Sequence, residues 1–293
     1  MTAPRFGIAI ATIGRWAEVG QLLDDLAAQT YPPSAVVIAH HDREQPEPEA
    51  LTALLRTRHL PVRVVVSPRG VSHARNIAAA ALGDDVDWVL FPNDTTRYDA
   101  DFLERLAGRC VPPTTVCAAQ LVDQEGPRNL LPAAGAPLTR RTAWGAIEPA
   151  TAFRLDEFRA VGGFDVSIGT GSDSPWQAGE GTDLVLRLAE RDGFSIEWAS
   201  DIVVHAATEF AHLRPEERRR KLRNYGRGAG HLLRKWRYPL WYKLAHLLAA
   251  ALMPLRNRKK FTPADGLALL TGRTEGVLGR TFSREEDHRA VVR

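Results

Sequence analysis

Asp94 stands in the run Phe91-Pro92-Asn93-Asp94-Thr95-Thr96, where an apolar stretch gives way to polar residues. A carboxylate after a strand nucleates turns as readily as it binds ligands, and its place after the fourth strand favours binding. Glu180 and Asp183 lie in Gly179-Glu180-Gly181-Thr182-Asp183. If Thr182 caps the helix that follows, Asp183 falls in its first turn, stabilised by the helix dipole without any catalytic duty and weakened as a base. Glu180, just outside that helix on a glycine-flanked loop, is then the preferred proton acceptor and Asp183 the second candidate. Thr12 and Arg15 fall in a strand-to-helix turn, where backbone donors and a cation suit a phosphate-bearing ligand. For Arg15 a plain helix start competes. Arg75 offers a planar cationic fork; the alternative is a surface arginine. His40, followed by His41 and Asp42, can stack on or hydrogen-bond to a base, or belong to a polar loop. Trp176 and Trp144 are either platforms for a ligand ring or core anchors. His205 ends a strand and is either a ligand-contacting or a satisfied buried histidine.

The elements that must position these residues alternate. Phe6 to Thr12 reads as a buried strand that turns at Gly14, and Val19, Leu22, Leu23 and Leu26 follow at helical spacing up to Tyr31-Pro32-Pro33. Val36–Ala39 predicts a second strand, followed by a loop rich in Pro and Glu. Leu51–Leu55 predicts a helix, Val62–Val66 a third strand, and Trp88–Phe91 a fourth. Ser72 is placed to cap a helix running through Ile77 to Leu82 and stopping at Gly83. This alternation predicts an α/β fold with a mostly parallel sheet covered on both faces. Ligands of such sheets bind beyond the carboxyl ends of the strands, which gathers Thr12 to Arg15, His40 to Asp42, Arg69 to Asn76 and Asn93 to Thr96. Beyond Phe102 the pattern loosens, and Asp123 to Pro149 shows turn signals without a period. A helix over Thr182–Arg191 and a strand over Ile196–Val204 follow. From Pro215 the chain reads as basic helices interrupted at Gly226, Gly228 and Gly230, then a helix over Leu240–Leu255.

The 293 residues suffice for one large core or two smaller ones, and 44% hydrophobic with 25% charged residues is ordinary for a folded chain. Cys110 and Cys117 form no CxxC pair, which argues against a disulfide framework or structural zinc and fits a reducing compartment. The first residues lead into an apolar run too short for a secretion signal. The net charge of +3 hides an asymmetry. Between Arg214 and Lys260 about fifteen Lys and Arg face only Glu216 and Glu217, which leaves the remainder about ten charges negative. Within that segment Leu240, Leu244, Leu247, Leu248 and Leu252 repeat at helical spacing, with Trp236, Tyr238, Trp241 and Tyr242 before them and Arg256, Arg258, Lys259 and Lys260 after. The apolar segment from Leu244 to Leu255 is too short to span a bilayer. Aromatics with flanking cations fit a helix lying on an anionic membrane. Packing against the rest of the chain is the alternative, and the apolar face argues against nucleic acid.

Five motifs occur in order: Thr12 after the first strand, Arg69-Gly70 ahead of Ala74-Arg75-Asn76, Asn93-Asp94, Gly162-Gly163-Phe164-Asp165, and Gly179 to Leu184 with Arg187. Over roughly residues 5 to 210 the sequence resembles the family 2 glycosyltransferases, inverting enzymes of the Rossmann-like GT-A fold, of the kind that builds bacterial cell-surface polysaccharides. The resemblance implies a transferase domain over 1–210, with a nucleotide-sugar half over about 1–100 and an acceptor half over about 101–210. The remainder, 211–293, would be a basic amphipathic helical region.

The same resemblance implies transfer of a hexosyl or deoxyhexosyl group from a nucleotide-sugar to a hydroxyl of a glycan or lipid-linked saccharide, by single displacement. The donor would meet Thr12, Arg15, His40, Asp42, Arg75, Asn93, Asp94 and Thr95. The acceptor would meet Trp176 and Trp144. Asp94 would contact the ribose or, with His205, help hold Mn²⁺ or Mg²⁺. Three positions depart from the family pattern, and at the first His40 stands where the family's base-recognising aspartate normally follows the second strand. Thr95 replaces a common metal-binding aspartate with a poorer ligand for a hard cation, and Gly181 stands where many relatives carry the catalytic aspartate. Those departures keep a non-catalytic nucleotide-sugar binder open. A sugar nucleotidyltransferase would need a glycine-rich phosphate loop, which Ala11-Thr12-Ile13-Gly14-Arg15 matches poorly. The expected location is the cytoplasm, peripheral on the inner face of the cell membrane.

Overall fold

The computed structural model describes residues 3–41, 59–208, 210 and 213–282. Asp42 and the helix expected over Leu51–Leu55 lie outside them. Strands β1 (Phe6–Thr12), β2 (Ala35–His40), β3 (Val62–Val66) and β4 (Trp88–Leu90) run parallel in the order β3-β2-β1-β4. Phe6, Ile8, Ile10, Val36 and Ile38 have no exposed surface. A parallel strand covered on both faces has no solvent side, which is why these segments read as unbroken apolar runs. After β1 the chain turns through Gly14 at φ +90°, a left-handed conformation natural to glycine. Helix α1 (Trp16–Ala27) then buries Val19, Leu22, Leu23 and Leu26 along one stripe. Each such side chain contributes roughly 1.5–3 kcal/mol by leaving water.

Helix α2 spans Val71–Ala80, two residues short of the expected end. Ser72 is not its cap. It lies inside the first turn, and its hydroxyl donates to the Ile168 carbonyl at 2.6 Å. Helix α3 (Phe102–Ala107) leads to β5 (Val116–Asp123) and the short β6 (Gly126–Pro127). Single-turn 3₁₀ helices cover Thr142–Gly145 and Glu148–Ala150, and β7 (Thr151–Arg154) follows. β7 inserts antiparallel between β4 and β5, and β8 (Ile196–His205) pairs parallel with the far side of β5. The sheet is therefore parallel in its first half and mixed in its second. Helices α4 (Leu155–Ala160) and α5 (Glu180–Leu188) complete this part of the chain.

The chain forms two compact units. The first comprises Met1–Arg69, His73–Phe164 and Leu184–Thr208 and carries the sheet. The second comprises Gly70–Ser72, Asp165–Asp183 and Glu209–Arg293. It contains α6 (Pro215–Lys235), α7 (Leu240–Arg256) and α8 (Pro263–Leu278).

Helix α6 is continuous, so the glycines expected to interrupt it do not. They are points of close approach. A Cβ added at Gly226 would stand 2.7 Å from the Leu269 carbonyl oxygen and 2.9 Å from the Arg273 amide nitrogen, both in α8. Gly272 and Gly276 of α8 meet the Arg223 and Arg227 backbone of α6 in the same way. Tertiary packing thus overrides the low helix propensity of glycine. Around this seam Arg223 and Arg227 both ion-pair with Glu275, and Arg218 pairs with Asp265. Thr262 and Asp265 form a capping box at the start of α8, and Gly279 closes its end at φ +70°.

Candidate active site

In the sheet-bearing unit, the tips of β1 and β4 are joined through one carboxylate. Phe91 buries its ring against Phe153, Phe158 and Phe164 and so anchors the end of β4. The next residues form a tight turn. The Thr96 amide donates to the Asn93 carbonyl at 2.9 Å, and the Asn93 amide to the Thr96 hydroxyl at 3.0 Å. Asp94, at the crest of this turn, is 1% exposed. Its Oδ2 accepts from the Thr12 hydroxyl at 3.0 Å and from Arg15 Nε at 2.9 Å. Its Oδ1 lies 2.8 Å from Arg15 Nη2 without the alignment of a hydrogen bond. Arg15 is therefore more than a helix start. Burial raises the Asp94 carboxyl above its ordinary pKa, against the opposing pull of Arg15 and Thr12.

Arg75 belongs to the same unit and is buried, which excludes a surface arginine. Its Nη2 donates to Asn93 Oδ1 at 3.1 Å, its Nη1 lies 3.9 Å from Glu148, and its guanidinium covers the Phe164 ring at 5.4 Å. The glycine motif holds this support in place. Asn76 Nδ2 donates to the Phe164 carbonyl and Asn76 Oδ1 accepts from the Phe164 amide. Arg187 caps the Val161 and Gly163 carbonyls at 2.8 and 2.6 Å. Gly163, at φ +71°, has no room for a Cβ beside Asn76. Motif residues far apart in sequence thus serve one purpose: they fix Arg75 and Asn93.

His40 is the buried last residue of β2, with Trp16 edge-on to it at 5.5 Å, and it does not belong to a loop. Thr95 is partly exposed on the turn beside Asp94. His205 is not a buried histidine: half-exposed, it sits with Nε2 3.3 Å from Asp99. Trp144 lines a surface concavity with Asn129, Leu131 and Arg141.

The second unit places the two base candidates differently. Helix α5 begins at Glu180 itself, so Glu180 stands in the first turn and Thr182 is interior, not a cap. Asp183 has no exposed surface. It accepts from Trp236 Nε1 at 2.9 Å and pairs with Lys235 at 2.7 Å, tying α5 to the end of α6. The Lys235 ammonium also pairs with Asp165. Burial works to raise the Asp165 carboxyl, but bonds from Lys235 and Ser167 hold it at about 2. The Glu180 carboxyl lies beside Gly169, close enough that a Cβ there would come within 3.2 Å. Trp176 is partly exposed and stacks one face on His231 at 4.6 Å.

The model of Glycosyl transferase family 2 matches residues 7–160. The chain belongs to this family. No curated protein matches it. Among solved structures, S. aureus TarS 1–349 shares 14% identity at a TM-score of 0.56, over 95% of this chain and 93% of that one. TarS 1–349 in complex with UDP-GlcNAc gives 15% and 0.55 over the same shares. The mannosyltransferase PcManGT from Pyrobaculum calidifontis, in complex with GDP-Man and Mn²⁺, gives 14% and 0.64 over 95% of this chain and 88% of that one. At such identities the likeness establishes the fold, which is the GT-A fold of glycosyltransferases. The matched family segment contains Thr12, Arg15, His40, Arg75, Asn93, Asp94, Thr95 and Trp144.

The donor set does not suit a divalent ion. Asp94 is a single carboxylate already engaged by Arg15, Thr95 supplies only a hydroxyl, and His205 faces Asp99. Among the described residues no cluster of three His, Cys, Asp or Glu side chains could hold a metal. Sequence reasoning missed Glu148 and Trp16. Glu148 lay in a stretch without periodicity, and nothing in the local sequence singles out Trp16.

Proposed function

We propose that this chain is an inverting transferase that moves a hexosyl or deoxyhexosyl group from a nucleotide-sugar to a hydroxyl of a glycan or lipid-linked saccharide. The observation that carries this reading is the convergence of Thr12, Arg15, Arg75, Asn93 and Asp94 where β1 and β4 end, in a chain of this family. Loss of a nucleoside diphosphate develops charge on the leaving oxygens, which positioned cations stabilise. Arg15 and Arg75 are the cations for that role, and Asp94 with Thr12 is suited to the ribose hydroxyls. His40 is suited to the base.

Inversion in one step needs a carboxylate to take the acceptor proton on the face of the sugar opposite the leaving group. Glu180 is assigned that role. Asp183 is fully committed to Lys235 and Trp236, so its duty is to hold α5 against α6. The partly exposed Trp176 ring and the concavity beside Trp144 are proposed as acceptor contacts. Glu180→Gln should lower transfer by at least about a hundredfold while nucleotide-sugar still raises the melting temperature. Undiminished product formation by this variant would remove the mechanism. Donor binding with no transfer to any acceptor, in the unmodified protein, would favour a non-catalytic binder.

Helix α7 supports a membrane partner. Leu240, Trp241, Leu244, Leu248 and Leu255 are exposed on it, Trp241 at 68%. Arg256, Arg258, Lys259 and Lys260 follow. No helix among the described residues is long and apolar enough to cross a membrane, so the proposed contact is a helix lying on an anionic surface, at the inner face of the cell membrane. Leu244→Glu with Leu248→Glu should abolish sedimentation with phosphatidylserine vesicles, whereas unchanged sedimentation would exclude α7 as the contact.

A further inference from the structure

A divalent cation at a nucleotide-sugar site acts electrostatically, joining a protein carboxylate to the donor diphosphate when both are negative. In this chain the carboxylate already has a cation of the protein's own. Arg15 reaches Asp94 with Nε and Nη2, leaving Nη1 without a hydrogen bond among the described residues. The pair is asymmetric in exposure: the Asp94 side chain is 1% exposed and that of Arg15 51%. The guanidinium therefore covers a buried carboxylate on one side and presents charge and donors to solvent on the other. A planar guanidinium suits this bridging role, because its donors point along fixed directions to two groups at once.

A metal ion placed against Asp94 would have to displace Arg15 or stand beside its positive charge. Thr95 offers it no second carboxylate. Arg75, held on Asn93 one residue before Asp94, adds a second fixed cation to the same turn.

We propose that Arg15 takes the place of the divalent cation, so that this chain binds the diphosphate of its donor without added metal. The proposal rests on the donor-site reading given above. Its consequence is that Thr95 is a settled substitution: with a guanidinium on Asp94, a second carboxylate at position 95 would have nothing to coordinate. Restoring that carboxylate should matter only when Arg15 is gone.

Isothermal titration of the full chain with UDP, GDP, ADP and CDP, in EDTA and then in Mn²⁺, tests this. The expected result is that at least one nucleoside diphosphate binds in EDTA with an affinity that Mn²⁺ changes by less than about tenfold. Arg15→Ala should weaken that binding by at least about tenfold in EDTA, and Arg15→Lys by less, since it keeps the charge and loses the fork. In Arg15→Ala combined with Thr95→Asp, Mn²⁺ should recover the lost affinity. An Mn²⁺ requirement of tenfold or more in the unmodified protein would overturn the proposal and leave the donor site standing. Failure of every nucleoside diphosphate in both buffers would overturn the donor-site reading and this proposal with it. Both of these outcomes are measured on the unmodified protein, so they do not depend on whether a variant folds.

Discussion

Among the buried carboxylates paired with arginine, Asp94 and Glu275 are built in opposite ways. Glu275, in the helical unit, has no exposed surface and accepts from Arg223, Arg227 and the Phe282 amide on both of its oxygens. Although burial works to raise it, these donors hold its carboxyl at about 2. Asp94, in the sheet-bearing unit, is just as hidden, yet one oxygen lacks an aligned donor and burial raises its pKa. The first group is fully satisfied and has no capacity left for a ligand. The second is short of donors beside a half-exposed cation. Saturation suits a structural pair, and the shortage at Asp94 suits the donor site proposed above. Asp183 is likewise buried and held, by Trp236 and Lys235, which is why the base proposed above is Glu180.

The largest effect that would sharpen this contrast is at Glu275. Glu275→Leu leaves Arg227 buried beside an apolar group, and removing one partner of a buried pair costs about 3–5 kcal/mol. Denaturant unfolding should show that loss, with hydrogen exchange accelerated in α6 and α8. A change below about 1 kcal/mol would show that the cluster is not structural.

Acid should separate the two groups next. The folded-state pKa of Glu275, about 2, lies below the ordinary 4.5, so the folded chain binds fewer protons between these values. Its contribution is present above pH 4.5 and is lost as pH falls towards 2. Asp94 has the opposite sign. Its raised pKa means the folded chain binds the proton first, so in the window above 3.8 its titration favours the fold as pH falls. Melting temperatures measured from about pH 6 to about pH 2.5 should fall less steeply in Glu275→Gln than in the unmodified protein, and slightly more steeply in Asp94→Asn. Parallel curves for all three would break the comparison.

The legibility of the sequence follows the same division between local and distant causes. β1 and β3 are readable to the residue, β1 as a continuous buried apolar run and β3 as a short valine-rich run between Pro61 and Pro68. β5 and β7 escape because Ala118, Ala119 and Ala152 dilute the strand preference of Val116, Thr151 and Phe153 in segments without clear alternation. Helix α6 is misread at its glycines because only backbone distant in sequence explains them, that of α8 at Gly226 and Gly230 and that of Ala178 at Gly228. The start of α5 is misread by two residues, which moves Glu180 from loop to helix. Asp94, Thr12 and Arg15 are individually visible as candidates. That Arg15 closes on Asp94, seventy-nine residues away, is written in no local pattern. The role of Arg187 as a clamp on the glycine turn is hidden in the same way.

The smallest effect on the fold carries the central claim. Asp94→Asn removes one charge from a pair whose cation is half in solvent, so the melting temperature should shift by no more than a few degrees. Nucleoside diphosphate binding, measured by isothermal titration on the same sample, should weaken by at least about tenfold. Unaltered affinity in a folded Asp94→Asn protein would contradict the assignment of the β1–β4 tip as the donor site.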